Sequence, residues 1–348
     1  MAEPRNPQDR IPDPVRVGSS RDGGPGHWRR VVSGYAVADD QTAGRELAVT
    51  VLASLILLAL GLIAARKSSF YGLLVAPLLA PALVRLFVIQ HDCGHGAFFS
   101  SRRRNDATGR LLSLFTLFPY EQWRRSHQKH HASIGNLAQR GIGDVWTITV
   151  AEYRSFSRIG RFCYRLYRHP AVLIGLGGPY YTLLRNRLPR RRLEGSLIAP
   201  FMSSQGLNLA IAVALACLAQ IGWLRPFLWI WIPAVSLGGS LGIVFFYAGH
   251  QFEGAYWSGE RDWQPTRAAL DGSAYLALTE PWAWLTGYIG IHHVHHLNSR
   301  VPMYILQRCI NENPELARIN RLTPAAALRA TRLALWDEAS QRLVAFPH

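Results

Sequence analysis

Four long apolar blocks set the plan of the chain. Leu47 to Ala65 is uncharged and almost wholly apolar, and its length suits one membrane crossing of roughly 20 residues. Phe70 to Ile89 follows after the turn Arg66-Lys67-Ser68-Ser69 and carries Arg85 near its end, where a long side chain can snorkel to the headgroups or mark the interface. Leu197 to Ile221 and Pro226 to Gly249 are a third and a fourth crossing, separated by Gly222-Trp223-Leu224-Arg225. The second and fourth therefore leave the membrane on the side where the chain began. Two shorter apolar stretches, Leu111 to Pro119 and Val172 to Leu184, read as interfacial or half-buried helices. The aromatic-rich stretch Tyr275 to Ile291 is expected along the membrane surface.

This pattern predicts an all-α integral membrane protein with four transmembrane helices, at about 47–65, 70–89, 197–221 and 226–249, and a helical cap made of 90–196 and 250–348. Residues 1–44 are expected to form a disordered or loosely ordered tail. Met1 to Arg30 is rich in Pro, Gly, Arg and Asp and lacks the apolar region of a secretory signal.

Composition sharpens the picture. Of 348 residues 49% are apolar and 17% charged, which favours one membrane domain over two soluble ones. The formal net charge of +16 lies mostly beside apolar segments, so an anionic lipid surface is a simpler partner than nucleic acid. Residues 90–196 hold eighteen Lys and Arg, among them Arg102 to Arg104, Arg124-Arg125 and Arg190 to Arg192. The positive-inside rule puts that region, and with it both termini, in the cytoplasm. The four cysteines (Cys93, Cys163, Cys217, Cys309) are scattered without a CxxC, which suggests neither a disulfide framework nor an iron–sulfur or zinc site.

The candidate chemistry lies in the histidines. His292, His295 and His296 stand at i, i+3 and i+4, a spacing that puts three imidazoles on one helical face. The same spacing recurs at His127, His130 and His131, and His91 and His95 stand at i and i+4. The first of these stretches follows the second span, and His250 closes the fourth. Buried imidazoles need partners for their nitrogens, and the usual binder of several converging neutral rings is a transition metal. Nine candidate ligands exceed what one ion takes, so two ions are expected. Imidazole suits iron, copper, nickel and zinc alike; a redox-active pair beside lipid points to oxygen chemistry on an apolar substrate, and together with the resemblance given below to iron. Asp92, Glu121, Asp144 and Glu253 are the carboxylates near enough in sequence to orient a ligating ring. His293 falls off the shared face and reads as structural, and His27, His169 and His348 as non-ligands. Phe98, Phe99, Trp123, Trp146 and Phe246 are candidates for an apolar substrate groove.

His91-Asp-Cys-Gly-His95, His127-Gln-Lys-His-His131 and His292-His-Val-His-His296 resemble the three histidine boxes of the membrane fatty-acid desaturases. Longer pieces, such as Leu117 to Trp123, Asn136 to Trp146, Tyr164 to Arg168 and His296 to Pro302, are similar to bacterial acyl-lipid desaturases of the Bacillus type. The resemblance runs from about residue 45 to the end. It implies four spans with a cytoplasmic cap and two non-haem iron ions with His91, His95, His127, His130, His131, His250, His292, His295 and His296 as ligands. It also implies an O2-dependent oxidoreductase that places a cis double bond in an acyl lipid or other fatty acyl substrate. The family usually reads Gln-His where this chain has Gly249 before His250. No haem-binding or iron–sulfur motif is present, so a separate ferredoxin- or flavodoxin-type electron donor is implied, in a bacterial inner membrane. A hydroxylase or carotenoid-modifying oxygenase on the same scaffold is the alternative. A metal transporter is disfavoured, because transport sites lie near the bilayer midplane and these histidines sit at the span ends.

Overall fold

The four apolar blocks become four helices in a computed structural model that describes residues 24–141, 143–188, 196 and 198–347. A short helix α1 (Pro25–Ser33) precedes α2 (Asp40–Lys67), whose first turn is capped by the Asp39 carboxylate accepting from the Thr42 amide at 2.7 Å. Ser68 ends α2 and starts α3 (Ser69–His95), its hydroxyl accepting from the Phe70 amide. One residue thus makes a sharp hairpin of two spans. In the cap follow α4 (Arg102–Thr116), α5 (Tyr120–Ser133), β1 (Ile148–Thr149), α6 (Val150–Ser155) and α7 (Arg158–Arg168). Residues 171–187 form an irregular helix, with π-helical turns on both sides of the short α8 (Gly177–Pro179). Then come α9 (Ile198–Gln220) and α10 (Leu224–His250), joined by a turn in which Gly222 adopts φ +71°. The remainder supplies α11 (Pro265–Asp271), β2 (Tyr275–Leu276), α12 (Trp282–Leu285), α13 (His292–Leu297), α14 (Met303–Glu312), β3 (Arg321–Leu322), α15 (Pro324–Ala330), β4 (Leu335–Asp337) and β5 (Arg342–Val344).

α2, α3, α9 and α10 are each long and apolar enough to cross a membrane. Leu52, Ile56, Leu60, Leu74, Leu78 and Leu209 stay exposed on them, as lipid-facing side chains would. Most of α3 is buried between α2 and α10. Small strands then tie the cap together: β4 pairs in parallel with β1 and antiparallel with β5, and β2 pairs in parallel with β3.

Residues 171–187 run back along α10 in the opposite direction. Leu173 packs near Tyr247, the Ile174 carbonyl accepts from Ser240 Oγ at 2.8 Å, and Gly178 lies against Gly239 and Ser240. A Cβ on Gly178 would stand 2.4 Å from the Ser240 amide nitrogen, so only glycine lets these backbones meet.

Two expectations are corrected. Residues 24–44 are not a loose tail: Trp28 and Val32 of α1 are buried, and α1 packs against α11 and α13. Residues 1–23, and Arg190 to Arg192, lie outside the described residues. Arg85 does not snorkel. It is 2% exposed, pairs with the Glu46 carboxylate, donates to Thr50 Oγ1 at 3.1 Å and to the Trp284 carbonyl, and lies 3.9 Å over the Trp284 ring. A charge that cannot reach water is instead neutralised by the neighbouring span.

That pair yields a prediction. Glu46→Ala leaves the Arg85 charge buried and should cost about 3–5 kcal/mol, whereas Glu46→Leu combined with Arg85→Met should recover most of the loss. Thermal unfolding of the purified protein in detergent checks both, as a clear drop in Tm for the first and a near-parental Tm for the second.

Candidate metal centre

Four helices deliver the histidines to one place. The last turn of α3 carries His91 and His95 and stops at Gly96, whose φ of +69° ends the helix. α5 is fastened beside it by Tyr120, whose hydroxyl bonds the Cys93 carbonyl and the Asp106 carboxylate, each at 2.8 Å. It presents His127, His130 and His131, with His127 stacked on Trp123 at 4.6 Å. α10 ends at His250. The chain beyond it is pinned back by the Ala274 amide donating to the Gly249 carbonyl at 2.9 Å, which brings α13 with His292, His295 and His296 against the end of α10.

The nine imidazoles fall into two groups. His91, His95, His127, His131 and His295 form one, and His130, His250, His292 and His296 the other; within each, one nitrogen per ring lies within 4.8 Å of all the others. The i, i+4 pairs stay together (91 with 95, 127 with 131, 292 with 296), while the i+3 members, His130 and His295, cross to the opposite group. His131 and His296 stack at 4.1 Å where the groups adjoin.

Tautomers follow from the partners of the other nitrogens. His250 Nδ1–H donates to the Gly272 carbonyl at 3.0 Å, so its Nε2 is a lone pair. His91 Nδ1–H donates to Asp92 at 3.0 Å, and the second Asp92 oxygen accepts from the Met303 amide at 2.6 Å. The His91 and His95 Nε2 atoms are buried with no partner. Nε2 atoms face one another at 2.9 Å (His250–His292), 3.1 Å (His130–His250), 3.2 Å (His292–His296) and 3.0 Å (His127–His131 and His131–His295). Two imidazole nitrogens this close either share one proton in an N–H···N hydrogen bond or, where both present lone pairs as metal ligands do, need a cation between them. The spacing also fits one: adjacent ligands at right angles around a metal with bonds of about 2.1 Å stand about 3.0 Å apart. Burial, aided by neighbouring imidazoles, holds His127, His130, His131, His292, His295 and His296 well below the ordinary histidine pKa, so these rings are neutral and able to ligate.

The other sequence candidates separate clearly. Of the four carboxylates, only Asp92 orients one of the nine rings. Glu121 pairs with Arg110, and Glu253 with Arg342 at the surface. Asp144 accepts from the Gly141 amide at 2.6 Å, and burial pushes its carboxyl up to about 6. His293 donates from Nε2 to the Leu316 carbonyl at 2.9 Å, a structural pin on the far face of α13. His27 lies edge-on to Trp28, and His169 caps the end of α7; His348 lies outside the described residues.

A cavity of about 730 Å³ opens beside both groups, reaching His91, His127 and His292. Its walls come from α3 (Leu83, Phe87), α5 (Trp123) and α10 (Val235, Ile243, Phe246), and are mostly apolar. Trp123 and Phe246 line it as expected. Phe98 and Phe99 instead pack in the core under Tyr304, and Trp146 sits against Tyr164 and Phe156.

Sequence reasoning missed two residues behind the centre. Arg168 is fully buried and donates to the Tyr247 hydroxyl and Gln251 Oε1 at 2.9 Å, to the Leu333 carbonyl at 2.9 Å and to Thr147 Oγ1 at 3.1 Å. It thereby clamps the end of α10 on both sides of His250. Its signal in the sequence was its place in Tyr164 to Arg168, one of the pieces that carry the family resemblance, which did not disclose this role. Gly249 is required by packing: a Cβ there would stand 2.7 Å from His292 Cδ2. The departure from Gln-His thus makes room for a ring of the third stretch.

Comparisons with known proteins give the family. A family model for fatty acid desaturases matches residues 68–322. A fatty acid desaturase of Bacillus subtilis (strain 168) is 40% identical over 265 residues, 76% of this chain and 74% of that protein. A Synechocystis protein named as an sn-1 acyl-lipid omega-3 desaturase (ferredoxin) is 29% identical, over 64% of this chain and 62% of its own length. An omega-3 fatty acid desaturase, chloroplastic, of Brassica napus is 27% identical, over 64% of this chain and 55% of its own length.

The geometry predicts two bound metal ions per chain. Gly249→Ala should push His292 aside and lower the content toward one, as should His250→Ala. Elemental analysis of purified protein reads this directly, and an unchanged content of two in both variants would refute the four-histidine group as a site.

Proposed function

Because the chain belongs to the fatty acid desaturase family, we propose that it is a membrane-bound, O2-dependent acyl-lipid desaturase, with two non-haem irons held by the nine histidines and an external electron donor. The observation that carries this reading is the meeting of both histidine groups with an apolar cavity of about 730 Å³, a size in the range of ligand sites. In the overall reaction two adjacent methylenes, O2, two electrons and two protons give a double bond and two waters. Bound iron supplies the redox and oxygen chemistry that can take hydrogen from an unactivated methylene. The protein's own residues do the positioning. Asp92 and the Gly272 carbonyl hold the His91 and His250 rings with Nε2 inward. Apolar walls exclude water and hold one stretch of a nearly featureless chain beside the centre, and placement of this kind has large rate effects.

The electrons enter from a partner. The cysteines are single, with Cys93 and Cys309 buried and Cys163 and Cys217 exposed, so the chain offers no cluster site. A ferredoxin- or flavodoxin-type donor fits, in line with the ferredoxin named for the Synechocystis relative. Exposed arginines of the cap offer an acidic donor a docking face. The cap and both termini are assigned to the cytoplasmic face of a bacterial inner membrane.

Mass spectrometry of total fatty acids from expressing cells tests the proposal. A new monounsaturated species is expected with the wild type and not with His295→Ala; hydroxylated chains in its place, or no lipid change with two irons bound and a donor supplied, would overturn it. Gly242 lines the cavity with open space where its Cβ would be, so Gly242→Phe should fill the cavity. That variant should keep its metal and lose activity on long chains, read by metal content and product profile together.

A further inference from the structure

Several buried polar atoms without a partner fall in one short stretch of the chain. Of thirteen such side-chain atoms among the described residues, five are histidine nitrogens and four lie between Thr182 and Arg187: Thr182 Oγ1, Asn186 Nδ2, and Arg187 Nε and Nη2. Thr182 and Asn186 are 3% and 2% exposed. Among the described residues Arg187 has no carboxylate partner and one side-chain hydrogen bond, a long 3.4 Å bond to Asn208, and burial pushes its pKa down to about 10. Between them Arg185 lines the cavity beside Thr182, with no ion pair or side-chain hydrogen bond among the described residues. Unmatched donors and uncompensated guanidinium charge are costly in a dry setting, and both costs vanish when an anion with several acceptor oxygens is bound.

The position is also that of a head beside a tail. The stretch joins the cavity wall, since the Asn186 carbonyl accepts from Gln122 Nε2 at 3.3 Å, and Gln122 precedes His127 by five residues on α5. Leu176, Leu184 and Leu188 of the same segment are exposed and do not line the cavity, so they lie where lipid would. We propose that Thr182, Arg185, Asn186 and Arg187 form a phosphate site that holds the head of the acyl substrate while its chain occupies the cavity. This rests on the desaturase reading and narrows it to a phosphate-bearing acyl donor, against one with a neutral head. The phosphate can come from a membrane glycerophospholipid or from a CoA thioester.

Binding to the metal-loaded, detergent-purified protein tests this without turnover. Dipalmitoyl phosphatidylglycerol, dipalmitoylglycerol and palmitoyl-CoA are offered separately and bound lipid is counted by native mass spectrometry. The wild type should bind a phosphate-bearing lipid over dipalmitoylglycerol, and the better of the two identifies the source. Arg185→Gln with Arg187→Gln should weaken that binding roughly tenfold or more, leaving dipalmitoylglycerol binding, metal content and Tm near wild type. Asn186→Asp, which puts a carboxylate among the same donors, should also reject phosphate and serves if the double variant does not accumulate. Equal binding of phosphatidylglycerol and dipalmitoylglycerol by the wild type, or unchanged phosphate-lipid binding in the variants, would overturn the site. Phosphate-lipid binding without any desaturation would keep the site and sink the reaction.

Discussion

Nine imidazoles converge from four helices, seven of them with a ring nitrogen within about 3.2 Å of a neighbour's, and the rest of the fold is arranged to bring them there. Each supporting feature applies that force at a different point. Tyr120 locks α5 to the end of α3, and Arg168 grips the end of α10 from behind. Glycine at 249 removes the one Cβ that would hold α13 away. Burying so many imidazoles together is costly unless their nitrogens gain partners, and bound cations would supply them, which would couple metal binding to the packing of these helices.

The division of the histidines adds a constraint of its own. α5 and α13 each serve both groups, because their i+3 members cross over. Neither helix can rotate or slide to suit one group without disturbing the other. The distance between the two groups is therefore tied to the pitch of two helices, which is among the stiffest lengths a protein has.

Much of this was legible in the sequence, for definite reasons. Spans are long and uniform, so the blocks at 47–65, 70–89, 197–221 and 226–249 announced four helices; the structure lengthens the first, second and fourth, with polar caps such as Asp39 and Ser68, and gives the third as 198–220. Ligand spacing at i, i+3 and i+4 marked which rings share a helical face. Sequence could not show which rings share a group, because that depends on how helices more than a hundred residues apart are rotated. Nor could it show that Arg85 is paired inward, since its partner Glu46 lies on another span. The tail failed for a related reason: a Pro- and Gly-rich stretch has little structure alone, and α1 exists because Trp28 and Val32 find a surface made by distant residues.

That last contact has a consequence for how the protein is made. α1 leaves the ribosome well before its partners, because Ser33 bonds Asn298 and Tyr35 bonds Glu312, residues 265 and 277 positions later. At about 5–20 residues per second, α1 waits roughly 15–50 s for them. The third histidine stretch is thus packed against a segment made long before it, and a nascent chain that stalls before residue 298 holds two histidine stretches and an α1 without the surface it covers.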